Sequence, residues 1–332
     1  MKAVVNLTYG SPDVLNVCDM PKPEPGPDEV LIKVHATTVG RTDACALRAH
    51  PFFMRFATGL LRPKRSILGL DFSGVVEATG RNATKFSPGG RVFGLTPDGF
   101  GAHAEYVCLP ENGPISVMPP EADFDEVVVC EGAWYAETNL RAFGLGPSHK
   151  ILIYGASGAI GTSAVQLAKA YGAEVTAVVS TRHLELAKNL GADHVIDYTA
   201  EDFTKINETF DFVLDAVGKT TFFRCRPLLK PKGVFAATDL GPGWQNIFLS
   251  MWSSLTRSGR VVFPMPHSSR TIVEDIKSRI EAGDFRAVID RKYPMQDIAD
   301  AYRYVDTEQK VGIVVIEVVQ DDKESGAKTN RI

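Results

Sequence analysis

The first part of the chain alternates short apolar runs with turns. Runs at 29–36, 72–78 and 91–94 are rich in valine, isoleucine and phenylalanine, a composition typical of strands. Four prolines between positions 21 and 27 exclude regular structure just before the first run, and Pro-Gly-Gly at 88–90 marks a turn before the third. This pattern predicts a barrel-like β unit over residues 1–117.

From about residue 118 the pattern changes to an alternation of strands and helices. The predicted strands are 151–153, 174–179, 195–197, 212–215, 234–237 and 260–263, and the predicted helices are 160–171, 182–190 and 220–229. Alternation on this scale predicts an α/β domain with a parallel, doubly wound sheet over residues 118–264.

The rest of the chain is too short to form a domain alone. Two amphipathic helices, at 271–282 and 297–306, and a strand at 311–318 are expected to complete the first unit, which then takes in residues 265–318. Residues 319–332 are mostly polar and charged, and we expect a disordered tail there.

The strongest single pattern is a glycine turn between the strand at 151–153 and the helix that follows. Ala156, Gly158 and Gly161 give an A-x-G-x-x-G spacing, within the run that also contains Ser157, Ala159 and Ile160. A glycine at 158 lets the backbone approach a pyrophosphate, and a glycine at 161 lets the helix pack on the strand. The helix N-terminus offers free N–H groups to the anion, so the turn predicts a dinucleotide site.

Length, composition and net charge limit the class of protein to which this chain can belong. The chain has 332 residues, of which 44% are hydrophobic and 23% charged, which fits about two globular domains. The net charge of −4 does not indicate a nucleic-acid or membrane surface. Five cysteines without C-x-x-C spacing argue against a disulfide framework. With no signal-peptide-like start and no apolar run of about 18 residues, the expected compartment is the cytoplasm.

The end of the second strand of the α/β region predicts which dinucleotide is bound. NAD-binding sheets place an acidic residue there for the ribose 2′-OH. Here the strand runs into Ser180, Thr181 and Arg182, and a hydroxyl pair with a guanidinium suits a 2′-phosphate. The alternative is that Ser180 or Thr181 caps the next helix and Arg182 is a solvated surface charge. The residues favour NADP(H) over NAD(H).

The sequence resembles the medium-chain dehydrogenase/reductase family, over roughly residues 1–318. It is most similar to the zinc-free quinone oxidoreductase branch and to a bacterial group labelled NAD(P)-dependent alcohol dehydrogenases. Besides the glycine turn, the resemblance rests on the sequences at 40–43, 68–76, 91–94, 131–135, 190–198, 214–218 and 311–315. These motifs are specific for the family and not for a substrate.

The resemblance implies a GroES-like β-barrel catalytic domain, a Rossmann domain, NADPH as hydride donor, and a homodimer formed through the Rossmann sheets. Carried over by position, it implies three groups of cofactor contacts. Ser180, Arg182 and Tyr198 surround the 2′-phosphate. Ala156, Gly158, Ala159 and Ile160 line the pyrophosphate. Asp215, Ala216, Val217, Leu240 and Gly241 lie along the nicotinamide half.

Two positions argue against a catalytic zinc. Zinc-dependent relatives carry a cysteine where this chain has Gly40 and a histidine where it has Leu70, and neither residue can bind a metal. The cysteine-rich structural-zinc lobe is also absent from the sequence, and His103 with Cys108 are expected to be ordinary strand residues. Without a Lewis acid, oxidation of an alcohol through an alkoxide is disfavoured. Reduction of a quinone or conjugated enone remains feasible.

The catalytic candidates are Thr42, Asp43 and Tyr135. Thr42 stands where zinc-dependent relatives place a hydroxyl that relays protons, and it is the first candidate for proton delivery, although it could simply cap a helix. Tyr135 is the second candidate, with a core aromatic as the alternative. The zinc-free branch usually has asparagine at the position of Gly40. Asp71 is expected to hold local backbone, and the aromatic and basic residues 51–65 either line an acceptor mouth or pack.

Three functions are therefore carried forward. The first is a zinc-independent, NADPH-dependent reductase of a small-molecule quinone or conjugated enone. The second is an NAD(P)-dependent aldehyde or alcohol oxidoreductase. The third is a non-catalytic NADPH-binding sensor or scaffold. Turnover of NADPH with a small quinone separates the third from the other two.

Overall fold

The computed structural model describes residues 1–52, 54–96, 100–256, 260–265 and 269–319. Its strands are β1 (Lys2–Asn6), β2 (Leu15–Asp19), β3 (Glu29–Thr38), β4 (Asp71–Thr79), β5 (Arg91–Leu95), β6 (Tyr106–Pro110), β7 (Ile115–Val117), β8 (Lys150–Tyr154), β9 (Glu174–Val179), β10 (His194–Asp197), β11 (Phe210–Asp215), β12 (Leu229–Ala237), β13 (Val261–Val262), β14 (Ile289–Pro294) and β15 (Ile313–Glu317).

Its helices are α1 (Arg41–Arg48), α2 (Met54–Thr58), α3 (Phe124–Val127), α4 (Cys130–Phe143), α5 (Ala159–Ala170), α6 (Leu184–Asn189), α7 (Phe222–Cys225), α8 (Gln245–Leu255), α9 (Arg270–Glu281) and α10 (Ile298–Asp306). The chain forms two compact units. One contains residues 1–128, 291–309 and 314–319, and the other contains residues 129–290 and 310–313. The expected tail falls almost wholly on residues 320–332, outside the described part.

The first unit is built on a seven-stranded sheet. Its strand order is β14-β15-β3-β4-β5-β7, with β6 also paired to β3, and β1 and β2 form a separate antiparallel ribbon. Alternate residues of β3 point into a buried cluster that includes Ile32, Val34, Phe72 and Val92. A second cluster buries Leu47 of α1 against α10. This is the predicted GroES-like β unit, completed by strands from the end of the chain.

The second unit is a parallel sheet with the strand order β10-β9-β8-β11-β12-β13. Most residues of the central strands β8 and β11 are buried, as expected for a parallel sheet with helices on both faces. The predicted fold class, a doubly wound Rossmann sheet with a GroES-like domain, is confirmed.

Several predicted elements differ from the observed ones in detail. The helix at 182–190 is a 3₁₀ turn followed by the six residues of α6, and the helix at 220–229 is the four residues of α7 with a 3₁₀ turn at a proline. Pro227 lacks a backbone N–H and interrupts the α-helix there. The strand at 260–263 is only two residues long. Helices α4 and α8 and the ribbon of β1 and β2 are not in the prediction.

The boundaries of the units also differ from the expected ones. The second unit runs from 129 to 290, so that α9, which was expected to complete the first unit, belongs to the second. The Arg141 side chain of α4 forms an ion pair with Asp275 of α9 at 2.5 Å, and Val273 and Ile276 of α9 are buried. An amphipathic pattern shows that a helix packs on something, but it does not say on which domain.

Candidate active site

The glycine turn between β8 and α5 contains two glycines that the protein itself requires. Gly155 has a φ of +77°, and a Cβ there would lie 2.5 Å from Cγ1 of Val217. A Cβ on Gly161 would lie 2.1 Å from the carbonyl oxygen of Gly155, closer than any real contact. Backbone conformation and helix packing therefore explain both residues.

Gly158 is different, because nothing in the protein requires a glycine there. Its φ of −78° and ψ of 176° suit any residue, and the nearest atom to a Cβ would be 3.7 Å away. It precedes a helix of 12 residues and has no side chain to cap it. A glycine that leaves this space open beside a helix N-terminus is suited to the close approach of an anionic ligand. The turn therefore fits the pyrophosphate of a dinucleotide.

A short segment from the end of the chain fixes the same turn. The backbone N–H of Gly312 donates to the carbonyl of Ser157 at 2.8 Å, and Gly158 and Gly312 form a parallel bridge. Gly312 has a φ of +60°, and a Cβ there would meet the Val288 carbonyl oxygen at 1.9 Å. The site prediction did not include Gly312, and its signal is the glycine in the apolar run at 311–315.

The residues predicted for the 2′-phosphate lie together at the carboxyl ends of β9 and β10. The parallel register pairs Asp197 with Val179, and the Tyr198 N–H donates to the Val179 carbonyl at 3.0 Å. Arg182 and Tyr198 are exposed there, and the Ser180 hydroxyl contacts Nδ1 of His183 at 3.2 Å. Ser180 occupies the N-cap position of the 3₁₀ turn, but its side chain makes no capping hydrogen bond. The simple capping alternative therefore does not account for it.

One acidic residue at this edge was missed. The prediction considered only the end of β9, whereas Asp197 ends the neighbouring strand β10 and reaches the same place. Its carboxylate accepts hydrogen bonds from the hydroxyls of Thr181 at 2.5 Å and Thr199 at 2.6 Å. These bonds, that of Thr181 above all, lower the pKa of Asp197. The carboxylate is thus bonded to its own loop, although its charge remains near the predicted phosphate position.

A cavity of 380 Å³ opens beside Tyr198. Its aromatic wall consists of Tyr154 and Phe203, whose rings stack at 4.8 Å, together with Tyr198. The lining is completed by Thr199, Ala200, Glu201, Asp202 and Arg224. Such a wall is suited to a flat ring. Of these residues the site prediction included only Tyr198. Tyr154 and Arg224 come from distant segments, whereas residues 199–203 directly follow Tyr198.

The residues predicted along the nicotinamide half differ in burial and in what their side chains bind. The Asp215 carboxylate is buried and accepts backbone hydrogen bonds, among them those from Val217 at 3.0 Å and from Gly218 and Thr220 at 2.8 Å. Burial raises the pKa of Asp215, while these bonds oppose the shift. The Asp215 side chain therefore holds the turn after β11. Its expected place along the nicotinamide half stays a prediction.

The neighbouring backbone remains suited to line a ligand. Val217 is half-buried against Gly155, and Ala216 is buried next to it. Gly241 follows Leu240 with a φ of +70°, and its N–H donates to Oδ1 of Asp239 at 3.0 Å. These positions stay predictions as cofactor contacts.

Thr42 and Asp43 lie in the first turn of α1. The Asp43 carboxylate is fully buried and accepts from the N–H of Gly40 at 2.9 Å and of Gly69 at 3.0 Å. Burial raises the pKa of Asp43 to about 7. This side chain joins α1 to the loop before β4, a structural role, and its catalytic role stays a prediction. Asp71 is likewise buried, and its carboxylate accepts a hydrogen bond from the Thr38 hydroxyl at 3.1 Å. Its expected role in holding local backbone stays a prediction.

Thr42 does not cap α1, because the helix begins at Arg41 with Gly40 as its N-cap. The side chain is half-buried, and within the described ranges its hydroxyl makes no hydrogen bond. Tyr135 is half-buried in α4, in the other unit, with its ring 5.4 Å from that of Trp134. Both stay predictions as proton donors.

The positions considered for metal binding have other roles. His103 is buried, with Nε2 2.8 Å from the Thr38 carbonyl oxygen and Nδ1 3.4 Å from the Tyr302 hydroxyl. Cys108 lies in β6, where burial raises the pKa of its thiol to about 11. Among the residues that the structure describes, no three His, Cys, Asp or Glu side chains are grouped to hold a metal ion.

Comparison with known proteins decides the family. Residues 26–120 match the alcohol dehydrogenase GroES-like domain, and residues 190–316 match a family described as zinc-binding dehydrogenase. The chain is 30% identical over 335 residues to the mitochondrial NAD(P)H oxidoreductase RTN4IP1 of Danio rerio, spanning 90% of this chain and 86% of that protein. It is 31% identical over 321 residues to the trans-enoyl reductase pgmF of Aspergillus terreus, spanning 88% and 87%. The chain belongs to the medium-chain dehydrogenase/reductase family.

A solved structure agrees with this assignment. The quinone oxidoreductase of Coxiella burnetii superposes with a TM-score of 0.85 at 26% identity, over 96% of this chain and 99% of that one. Within the family, the chain falls in the quinone oxidoreductase-like branch. It is an NAD(P)H-dependent oxidoreductase.

The cellular compartment stays a prediction. Across the described ranges, no helix has both the length and the apolar character that crossing a bilayer requires. The Danio rerio relative is named as mitochondrial, which differs from the cytoplasm expected here.

Proposed function

We propose that this protein is a zinc-independent reductase that uses NADPH to reduce a quinone or a conjugated enone. The observation that carries the proposal is the open space at Gly158, beside the free N-terminus of α5, which fits a dinucleotide pyrophosphate. The acceptor class is supported by Gly40 and Leu70, which replace two zinc ligands of the family. It is also supported by relatives named as a trans-enoyl reductase and a quinone oxidoreductase.

The protein's own residues have separable roles in this proposal. The N–H groups that follow Gly158 bind the pyrophosphate, and Arg182, with Ser180 and Tyr198, binds the 2′-phosphate. When bound, NADPH supplies the hydride that goes to an electron-poor carbon of the acceptor. Such an acceptor needs little electrophilic help, so that positioning supplies most of the rate. The Thr42 hydroxyl relays the proton: it donates its own proton to the reduced acceptor and takes up another from solvent water.

Substitution of Thr42 tests the catalytic part. Thr42→Val removes the hydroxyl at nearly constant volume, and a single proton donor typically contributes about 10²–10⁴-fold. We expect kcat for a small quinone or enone to fall within that range, with the affinity for NADPH unchanged. Thr42→Ser, which keeps a hydroxyl, should restore much of the rate, and Thr84→Val, at an exposed position of the same unit, should have no effect.

The acceptor panel must include quinones, enones, aldehydes and alcohols. Activity confined to aldehydes and alcohols would favour the second function over the proposed one. Binding of NADPH with no turnover across the panel would favour the sensor. An unchanged kcat in Thr42→Val would mean that water or Tyr135 supplies the proton.

We also propose that the protein forms a homodimer through its parallel sheet. Helix α8 packs beside β13, the last strand of the sheet. It exposes four large apolar side chains with the spacing of one helix face, namely Phe248, Met251, Trp252 and Leu255. A second copy of the chain would cover this face and the sheet edge. Light scattering should give a dimer mass for the wild type and a monomer mass for Phe248→Glu, and a monomeric wild type would refute the proposal.

A further inference from the structure

The described side chains between positions 52 and 65 expose an unusual amount of apolar surface. Phe52, Phe56, Leu60 and Leu61 are exposed to 63%, 72%, 55% and 85%. Four large apolar side chains within ten positions form a local concentration, whereas single exposed apolar residues are common and need no explanation. Such a concentration is typical of a surface that contacts something outside the folded chain.

Contacts to the rest of the first unit hold this segment in place. The Tyr9 hydroxyl donates to the Gly59 carbonyl and lies 2.7 Å from Oγ1 of Thr58. The Lys64 N–H donates to the Thr58 carbonyl at 2.7 Å. The Arg55 guanidinium lies over the ring of Tyr9 at 4.9 Å and over that of Phe52 at 5.2 Å. The apolar side chains are therefore presented to solvent by an anchored backbone.

The charge of the same region is entirely positive. Residues 44–70 contain five Lys and Arg and no Asp or Glu, in a chain whose net charge is −4. Arg48 pairs with Asp306 outside this region. Arg62 and Lys64 are exposed beside Leu61, and in the described part of the chain neither side chain has an ion pair. Cations without partners therefore adjoin the exposed apolar residues.

We propose that residues 52 and 54–65 dock this protein on the surface of membranes that contain anionic lipid. Aromatic and leucine side chains beside cations match the boundary between headgroups and acyl chains, where the apolar groups enter and the cations meet phosphates. Nucleic acid would use the cations but offers no apolar layer for Leu60 and Leu61. The docking surface thus departs from the expectation drawn from net charge, which averages over the whole chain.

The test is co-sedimentation of the full-length protein with vesicles. Phosphatidylcholine vesicles containing roughly one third phosphatidylglycerol are compared with pure phosphatidylcholine, at about 0.1 M and about 1 M salt. One set of variants, Phe56→Ala and Leu61→Ser, removes apolar groups, and Arg62→Glu reverses a charge. The matched controls are Phe223→Ala, at an exposed phenylalanine of the second unit, and Lys188→Glu. NADPH affinity and the melting temperature confirm that each variant is folded.

We expect the wild type to bind anionic vesicles and to lose binding in neutral vesicles and at high salt. Near an anionic surface one cation contributes about fivefold in affinity, so Arg62→Glu should weaken binding by about 25-fold. Phe56→Ala should weaken it by about tenfold, and both controls should bind like the wild type. A wild-type protein that does not bind anionic vesicles would overturn the proposal. Equal losses of vesicle binding in the two control variants would also overturn it. So would an affinity for RNA that Arg62→Glu weakens, together with vesicle binding that Phe56→Ala and Leu61→Ser leave unchanged.

Discussion

Gly158 offers a sharp test of the cofactor site, because the structure predicts opposite effects at two glycines of one turn. In Gly158→Ala the new methyl group meets no atom closer than 3.7 Å, and the backbone conformation is ordinary. The free energy of unfolding should stay constant or rise by about 0.4–1 kcal/mol, since alanine restricts the unfolded chain. In Gly161→Ala the methyl group would lie 2.1 Å from the Gly155 carbonyl oxygen. The helix would have to shift, at a cost of about 1–3 kcal/mol.

Whereas the stability of Gly158→Ala should not fall, its affinity for the cofactor should. The methyl group would occupy the space that a pyrophosphate needs, so that at least one hydrogen bond to a charged group would be lost. That loss is worth about 1.5–3 kcal/mol, or roughly 10–150-fold in Kd. Fluorescence titration with NADPH measures the affinity, and urea unfolding without cofactor measures stability. A Gly158→Ala protein that binds NADPH like the wild type would refute the assignment of this turn.

Three further predictions concern other parts of the molecule. Arg182→Ala should weaken the binding of NADPH by about 1.5–3 kcal/mol and that of NADH far less, while Lys188→Ala, at an exposed position of α6, should change neither affinity. Equal weakening of the binding of both cofactors by Arg182→Ala would contradict the 2′-phosphate role. Elemental analysis should find no stoichiometric zinc, and a strong chelator should leave activity intact, because Gly40 and Leu70 cannot be ligands; about one zinc per chain would show the opposite. Burial raises the pKa of Asp43 to about 7, from about 4 when unfolded. Its contribution to the free energy of unfolding is therefore present below pH 4 and is lost as the pH rises through 7. Urea titrations at several pH values should show this fall in stability in the wild type and not in Asp43→Asn.

The sequence alone determined the class of the fold, and it predicted where a dinucleotide binds. Helices and strands have different periods, and the alternation of short apolar runs with amphipathic stretches leaves few architectures open. The glycine turn was recognisable because a strand, a tight turn and a helix must follow one another within a few residues. The sequence could also predict Ser180 and Arg182 as contacts of the 2′-phosphate, because both residues directly follow one strand.

Only the tertiary structure decided which polar side chains are open to a ligand. Asp43 and Asp215 look like functional carboxylates in the sequence, but each is buried and bonded to backbone N–H groups from nearby turns. Asp197 and Gly312 reach the predicted cofactor site through strand pairing and a long-range contact, which no local pattern encodes. Burial and spatial proximity depend on segments distant in sequence, whereas hydrophobic period and turn chemistry are local properties of the chain.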